Sequence, residues 1–404
     1  MFGVLFWLCV LLVWYVYAGY PILLAVMARL FSRPVHLAEI TPTVTVLIAA
    51  YNEEAVIADK LENCLALDYP AEKLQVLVAA DGSTDRTAEI VRSFTGRGVD
   101  LCYEPARRGK MAAINHAMSL ARGEIVVFSD ANNFYQRQAL RELLRPFADP
   151  RVGGVSGAKH IVKGDGQLGE AEGLYWKYES FIKKQEARLW TCTAVAGEIF
   201  AIRRELFTPA PEEVINDDFY LALQMIRRGF RVVYAPTAIS LERVSPSAQD
   251  EIVRRTRIIA GRYQAMAMSL QLLPFRQPLV VWQVFSHKFL RPLVPFAMIG
   301  ALVSNLLAWL FPFTPAPSLI GLSGFYAPLA IVLQILFYGT AWVGARLPGQ
   351  GRLAKLFYLP TFLVNSNLAA LLGFLKYVRG QQSAAWKRAE RRHLPIEIDD
   401  HPLS

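Results

Sequence analysis

Glu124-Ile125-Val126-Val127-Phe128-Ser129-Asp130-Ala131-Asn132 is a short apolar run that ends on two oxygen-bearing side chains, Asp130 and Asn132. Side chains of a strand alternate between faces, so positions two apart share one. At the carboxyl edge of a parallel sheet two such oxygens can hold a hard divalent cation, with waters and substrate phosphates completing its shell. A D-x-N triplet alone is common in turns, and its neighbours along the chain give it weight.

Upstream, strand and helix patterns alternate. Thr43–Ala49 is a β-branched run with strand character, and residues 53–66 carry apolar Val56, Ile57, Leu61 and Leu65 at helical spacing. Gln75–Ala80 reads as a second strand, with a helix through about Phe94 capped by Ser83 or Thr84. Val99–Tyr103 is a third strand, Gly109 opens a helix through Ala121, and Glu124–Ser129 is the fourth strand. Such alternation predicts an α/β domain with a mostly parallel sheet and right-handed crossovers. Ligands of these folds bind beyond the carboxyl ends of the strands.

Tyr51-Asn52-Glu53-Glu54, Asp81-Gly82-Ser83 and Asp130-Ala131-Asn132 all fall at those ends. Glu53, Asp81 and Asp130 are therefore expected on one rim, where carboxylates repel unless a cation or hydrogen-bond donors compensate. Asp81 can accept from a base N–H and from ribose hydroxyls, or serve as an ordinary turn residue. Lys110 puts positive charge near a helix N-terminus, where phosphate is favoured; alone it reads equally as a solvated lysine. Asp217-Asp218 precedes the helical pattern Phe219–Arg228. Locally the pair suits a helix cap or a general base, since one carboxylate beside another has a raised pKa.

The chain has 404 residues, 53% hydrophobic and 19% charged. That mixture predicts a globular domain joined to membrane segments. Phe2 through Met27 contain no charged side chain, and about 20 residues suffice to cross a hydrocarbon core. A signal peptide carries basic residues before its apolar run. Here Arg29 and Arg33 follow it, which favours a retained anchor. Further apolar stretches lie at about 292–312, 322–345 and 356–378.

The expected organisation is an anchor at 1–32, a globular domain at 40–275, an amphipathic interfacial helix at 276–291, a membrane region at 292–380 and a basic tail at 381–404. In the interfacial helix Gln283, His287 and Arg291 recur every four positions, as on a helix lying at a membrane surface. Pro360, Asn365 and Asn367 interrupt 356–378, which reads as a third C-terminal span or a re-entrant element. The net charge of +9 comes without a Lys/Arg tract interleaved with aromatics, so nucleic acid is not an expected partner. Much of the excess sits beside the membrane segments, where anionic lipid attracts it. Four cysteines without metal-ligand spacing are expected to be reduced thiols. The positive-inside preference places the globular domain in the cytoplasm of a multi-pass cell-membrane protein.

Ala49-Ala50-Tyr51-Asn52-Glu53-Glu54, Asp81-Gly82-Ser83, Gly109-Lys110, Asp130-Ala131-Asn132, Gly197 and Asp217-Asp218, taken in order and spacing, closely resemble glycosyltransferase family 2. The resemblance covers roughly 40–265. It implies a GT-A nucleotide-diphospho-sugar domain, here with N- and C-terminal transmembrane helices, and an inverting, metal-dependent transfer. By that resemblance Ala50, Tyr51, Glu53, Asp81, Lys110 and Asp130 bind the nucleotide. Asp130 and Asn132 stand for the metal-binding D-x-D, with Mg²⁺ or Mn²⁺ as cofactor. Asp218 is the catalytic base, and Gly197, Glu198 and Asp217 lie on the acceptor and diphosphate side. Processive members carry Q-x-x-R-W after the base. Here Arg254 replaces the glutamine, Arg257 matches the arginine and Ile258 replaces the tryptophan. Arg254 and Arg257 can still hold a diphosphate.

The implied function is transfer from a UDP-linked sugar to a polysaccharide or lipid-linked acceptor, with membrane lipids as partners and export proteins left open. A processive synthase and an inactive membrane scaffold are the alternatives. The charge pattern yields a topological prediction: a cysteine at Ser383, in a variant lacking the four native cysteines, resists a membrane-impermeant thiol reagent in intact cells and reacts after permeabilisation. Labelling in intact cells would place the tail outside.

Overall fold

The computed structural model describes residues 1–162, 166–243, 248–312, 316–346 and 352–381. The basic tail therefore lies outside the described residues. The chain divides into two compact units: residues 27–251 with 264–281, and residues 1–26, 252–263 and 282–381.

The first unit is built on an eight-stranded sheet. Its strands are β1 (Val44–Ala50), β2 (Leu74–Asp81), β3 (Val99–Glu104), β4 (Ile125–Asp130), β5 (Phe134–Tyr135), β6 (Val152–Ile161), β7 (Phe200–Arg203) and β8 (Arg231–Glu242). They lie in the order β3-β2-β1-β4-β7-β6-β8-β5. β1 pairs in parallel with both β2 and β4, β2 with β3, and β6 with β8. β7 runs antiparallel between β4 and β6, and β5 antiparallel to β8. The sheet is thus mostly parallel, as the alternation predicts.

β1, β2 and β4 read as largely apolar runs because both faces are covered, whereas β3 lies at the sheet edge and carries Asp100 and Glu104. Val46, Leu47 and Ile48 are all buried, as are Leu77, Val78, Val126 and Val127. The helices Ile57–Leu65, Thr87–Ser93 and Lys110–Ala117 supply the crossovers. They are shorter than the periodicity predicts. At the first of them, the backbone from Asn52 to Glu54 is instead tied to the loop after β2. Asn52 N–H donates to Ser83 Oγ at 3.1 Å, Glu53 N–H to Thr87 Oγ1 at 2.8 Å and Glu54 N–H to Asp85 Oδ2 at 3.1 Å.

Strand order reverses between β1 and β4, the switch point where α/β sheets open a crevice. Ala49 pairs with Asp130, Ala50 with Ala80 and Asp81 with Glu104. The three motif segments therefore end on one edge.

The second unit is helical. Phe2–Leu30, Pro278–Leu310, Tyr326–Gly344 and Leu359–Val378 are long and apolar enough to cross a membrane. The 276–291 stretch departs from expectation. From Pro278 it runs on into the apolar helix Val294–Leu310, through a π-helical turn at Phe285–Phe289 and a 3-10 turn at Arg291–Leu293. Its polar stripe also faces inward: Gln283 and His287 are 0% exposed and Arg291 8%. Polar groups of the first helix meet this segment. Tyr15 Oη and Ser286 Oγ share a hydrogen bond of 2.7 Å, and Trp282 Nε1 donates to Tyr15 Oη at 2.9 Å.

The last helix, Arg352–Val378, continues through Pro360, Asn365 and Asn367. Asn367 is buried and donates to Tyr17 Oη at 3.0 Å and to Leu363 O at 2.8 Å. Its polarity is met within the helical unit, so no break in the helix is required.

Candidate active site

Asp81, at the end of β2, is buried. Its carboxylate accepts from the backbone N–H of Arg108 and of Gly109, each at 2.8 Å. The acid thus fixes the loop that leads into the helix Lys110–Ala117. Gly82 makes that approach possible. Its φ is +65°, and a Cβ there would lie 2.6 Å from Arg107 N. Arg107 in turn lays its guanidinium 3.7 Å from the Tyr51 ring centroid. Ala50, Tyr51, Asp81, Arg107, Gly109 and Lys110 line one cleft at this edge, which unites most of the residues expected to bind a nucleotide.

Lys110 links that cleft to the other motifs. Its Nζ stands 2.9 Å from Asp130 Oδ1 and 3.1 Å from Asp217 Oδ2. Burial alone would lower its pKa, but Asp130 and Asp217 outweigh burial and hold it above the ordinary lysine value. A raised folded pKa gives stability that is fully present below the unfolded value of about 10.4 and lost only as pH rises through the folded one. The ammonium is therefore charged throughout the neutral range.

Asp217 and Asp218 form the first turn of the helix Asp217–Arg227. Asp218 Oδ1 accepts from Phe219 N–H at 2.7 Å. The Gly197 loop backs onto this acid: a Cβ on Gly197 would lie 3.2 Å from Asp218 Cβ and 3.5 Å from Oδ2. Lys110, Asp130, Asp217, Asp218 and Gly197 are thus linked residue to residue. Arg254 and Arg257 lie on the helix Ala248–Ala267, in the stretch that belongs to the helical unit.

A network that the motifs do not reveal holds the D-x-N turn. Asn132 Nδ2 donates to Glu242 Oε1 at 3.0 Å. Glu242 also pairs with Lys159, whose Nζ is 3.6 Å from Glu198 Oε1. Glu198 is 8% exposed, so its side chain is a buried ion partner and not an open acceptor contact. The next residue, Asn133, is fully buried and donates to Glu198 O at 3.1 Å and to Ser240 Oγ at 2.8 Å. Lys60 Nζ donates to Asn133 O at 2.8 Å and lies 4.0 Å from the Tyr135 ring centroid. Burial pushes the Lys60 pKa down, with Cys64, Asp130 and Glu198 opposing. Lys60, Lys159 and Glu242 lie outside every motif. Nothing in the local sequence marks them.

The donor set can be tested against a divalent cation. Asp130 offers a carboxylate, and the Asn132–Glu242 bond turns the amide nitrogen inward, leaving Oδ1 as that residue's acceptor. Among the described residues no group of three or more His, Cys, Asp or Glu forms a metal cage. One carboxylate and one amide oxygen suit Mg²⁺ or Mn²⁺ held jointly with substrate phosphates and water. They do not suit a resident structural ion. The residues fit the implied cofactor in that form.

A mostly parallel α/β sheet with its acids and one lysine gathered at the β1/β4 switch point has the architecture of a GT-A domain. Residues 45–208 match the family model Glycosyl transferase family 2. The chain is 25% identical over 287 residues to the probable glycosyltransferase YdaM of Bacillus subtilis, covering 65% of each chain. It is 26% identical over 232 residues to a poly-beta-1,6-N-acetyl-D-glucosamine synthase of Staphylococcus aureus, covering 55% of each. The chain therefore matches somewhat over half the length of these relatives. Among solved structures, the mannosyltransferase PcManGT from Pyrobaculum calidifontis, in complex with GDP-Man and Mn²⁺, superposes with a TM-score of 0.69. The match covers 94% of this chain and 100% of that one at 24% identity. That likeness is one of fold.

The Asn132–Glu242 bond explains the departure from D-x-D. An aspartate at 132 would set a second carboxylate against Glu242, raising the pKa of one of them. Asn132→Asp is therefore expected to weaken Mn²⁺ binding in the presence of UDP by about three- to tenfold, ~0.7–1.4 kcal/mol. Electron paramagnetic titration of free Mn²⁺ measures this, and tighter binding in the mutant would contradict the account.

Proposed function

We propose that this chain is a membrane-bound inverting glycosyltransferase. It takes a sugar from a cytoplasmic nucleotide-diphospho-sugar, UDP-linked in our reading, and places it on a hydroxyl of a polysaccharide or lipid-linked acceptor. The observation that carries the proposal is the linked set of Lys110, Asp130, Asp217 and Asp218 at the carboxyl edge of β1 and β4. The staphylococcal relative, named as a sugar-polymer synthase, supports the acceptor class. The four apolar helices support the membrane setting.

In this mechanism the cleft of Ala50, Tyr51 and Asp81 holds the nucleoside, with Glu53 on the adjoining loop. Lys110, on its helix N-terminus, faces the diphosphate, and Asp130 with Asn132 would hold the cation. That cation, Mg²⁺ or Mn²⁺, supplies Lewis-acid neutralisation of the charge on the leaving diphosphate. Asp218 accepts the proton of the acceptor hydroxyl as its oxygen bonds to sugar C1. The C1–O bond to the diphosphate breaks, and the nucleoside diphosphate leaves with its electron pair. A single displacement of this kind inverts C1. Gly197 leaves room for its loop to lie against Asp218, and Lys110 pairs with both Asp130 and Asp217. Arg254 and Arg257 are assigned to the diphosphate side.

A processive synthase is the second possibility, favoured by the polymer-synthase relative. Ile258 weighs against it, because an aliphatic side chain lacks the aromatic face on which a sugar ring stacks. Chain-length analysis of the product separates the two.

Asp218→Asn is expected to retain UDP binding and to lose transfer by about 10²–10⁴-fold, the usual loss on removing a general base. Release of UDP from a panel of UDP-sugars by the full-length protein in detergent measures it. Near-normal turnover would move the base elsewhere.

A further inference from the structure

The helix Gly166–Leu189 is 24 residues long, about 36 Å at 1.5 Å per residue, and packs on β6 and β8. Among residues 173–189 the exposed positions are Leu174, Lys177, Phe181, Lys184 and Arg188. Steps of three and four keep them in one stripe along the helix. Leu174 is 54% exposed and Phe181 43%, so neither belongs to the core. Both acids of that stretch, Glu179 and Glu186, are buried. Among the described residues no carboxylate pairs with Lys177, Lys184 or Arg188. The stripe therefore carries three unopposed cations and two large apolar side chains.

The C-terminal end of this helix is fastened where the chain leaves its first apolar segment. Phe2–Leu30 is long and apolar enough to cross a membrane, and just beyond it Arg33 N–H donates to Arg188 O at 2.8 Å. Arg231 Nη2 donates both to Arg33 O at 2.9 Å and to Ala187 O at 3.0 Å. The Arg33 guanidinium lies 5.1 Å from the Trp190 ring centroid. Residues 27–251 belong to one unit, so this junction is part of the globular domain. Arg29, Phe31 and Arg33 are exposed there. They continue the mixture of cations and large apolar groups up to the end of the apolar segment.

We propose that this stripe docks on the anionic surface of the membrane that the first helix enters. Leu174 and Phe181 lie in the head-group region, and Lys177, Lys184 and Arg188 meet lipid phosphates. Basic side chains beside a membrane segment are drawn to anionic lipid. A helix face that mixes Lys and Arg with exposed Phe and Leu suits the interface, because long cationic side chains reach head groups while their stems cover apolar surface. A second copy of the chain fits less well: a two-fold contact through this stripe would set cations against cations. The proposal takes the membrane setting from the reading above and is independent of sugar transfer.

Photo-crosslinking tests it. The full-length protein carrying Phe181→p-benzoylphenylalanine is reconstituted in nanodiscs of equal parts phosphatidylcholine and phosphatidylglycerol, and adducts are identified by mass spectrometry. Lipid adducts are expected, with phosphatidylglycerol favoured at least about fivefold, the effect of one basic side chain at an anionic surface. Lys177→Gln with Lys184→Gln and Arg188→Gln, all at exposed positions, is expected to bring the two lipids to parity. Salt at about 1 M, which screens charge beyond ~3 Å, is expected to do the same. Tyr103→p-benzoylphenylalanine, exposed on the edge strand β3 at the far side of the sheet from β8, is expected to give only background adducts. Co-elution with the discs checks the membrane setting separately, so protein that incorporates but forms no lipid adduct at position 181 overturns the docking alone. Crosslinks between two copies of the chain, equal lipid yields at positions 181 and 103, or no preference for phosphatidylglycerol would overturn it equally.

Discussion

The Lys110 ammonium, held between Asp130 and Asp217, is the interaction on which the catalytic edge depends. A parallel sheet that turns its strand ends toward one crevice gathers whatever those ends carry, and here they carry acids. Asp81 is offset by two backbone N–H groups. Asp130 and Asp217 share a lysine whose charge their own proximity secures. The same cation that lets two carboxylates stand together is, in the proposed mechanism, the group that meets a diphosphate.

Around it, polar contacts fix the loops without closing the cleft. The Asn52–Glu54 backbone is tied to the loop after β2. The turn after β4 is tied through Asn132 and Asn133 to Glu242, Ser240 and the Glu198 carbonyl. The edge formed by β1, β2 and β4 is thereby joined to the Gly197–Glu198 loop before β7. Buried hydrogen bonds of this kind are costly to break one at a time, which favours a single arrangement of the edge before any substrate arrives.

The parallel half of the sheet was legible because strand and helix alternate at short range and both faces of β1, β2 and β4 are largely apolar. Asp81, Asp130 and Asp217-Asp218 stood out because each sits where a strand ends or a helix begins. The other half was not legible. β6, β7 and β8 pair over long sequence distances, as in the matches of Ser156 with Phe200 and of Val155 with Val233, and no local pattern encodes that. Lys60, Lys159 and Glu242 are charged residues whose burial depends on partners far along the chain. The stripe of Gln283, His287 and Arg291 shows the limit most plainly. A polar period of four looks the same whether it faces water or a protein interior, and only the position of the first helix decides it.

The central claim is that the edge built around Lys110 and Asp130 binds a nucleoside diphosphate together with a divalent cation. Calorimetric titration of UDP into the full-length protein, with Mn²⁺, with Mg²⁺ and with chelator, tests this most directly. The account predicts that either cation tightens UDP binding by about tenfold or more, ~1.4 kcal/mol, and that Asp130→Ala removes this dependence. Equal UDP affinity with and without divalent ions in the wild-type protein would contradict it.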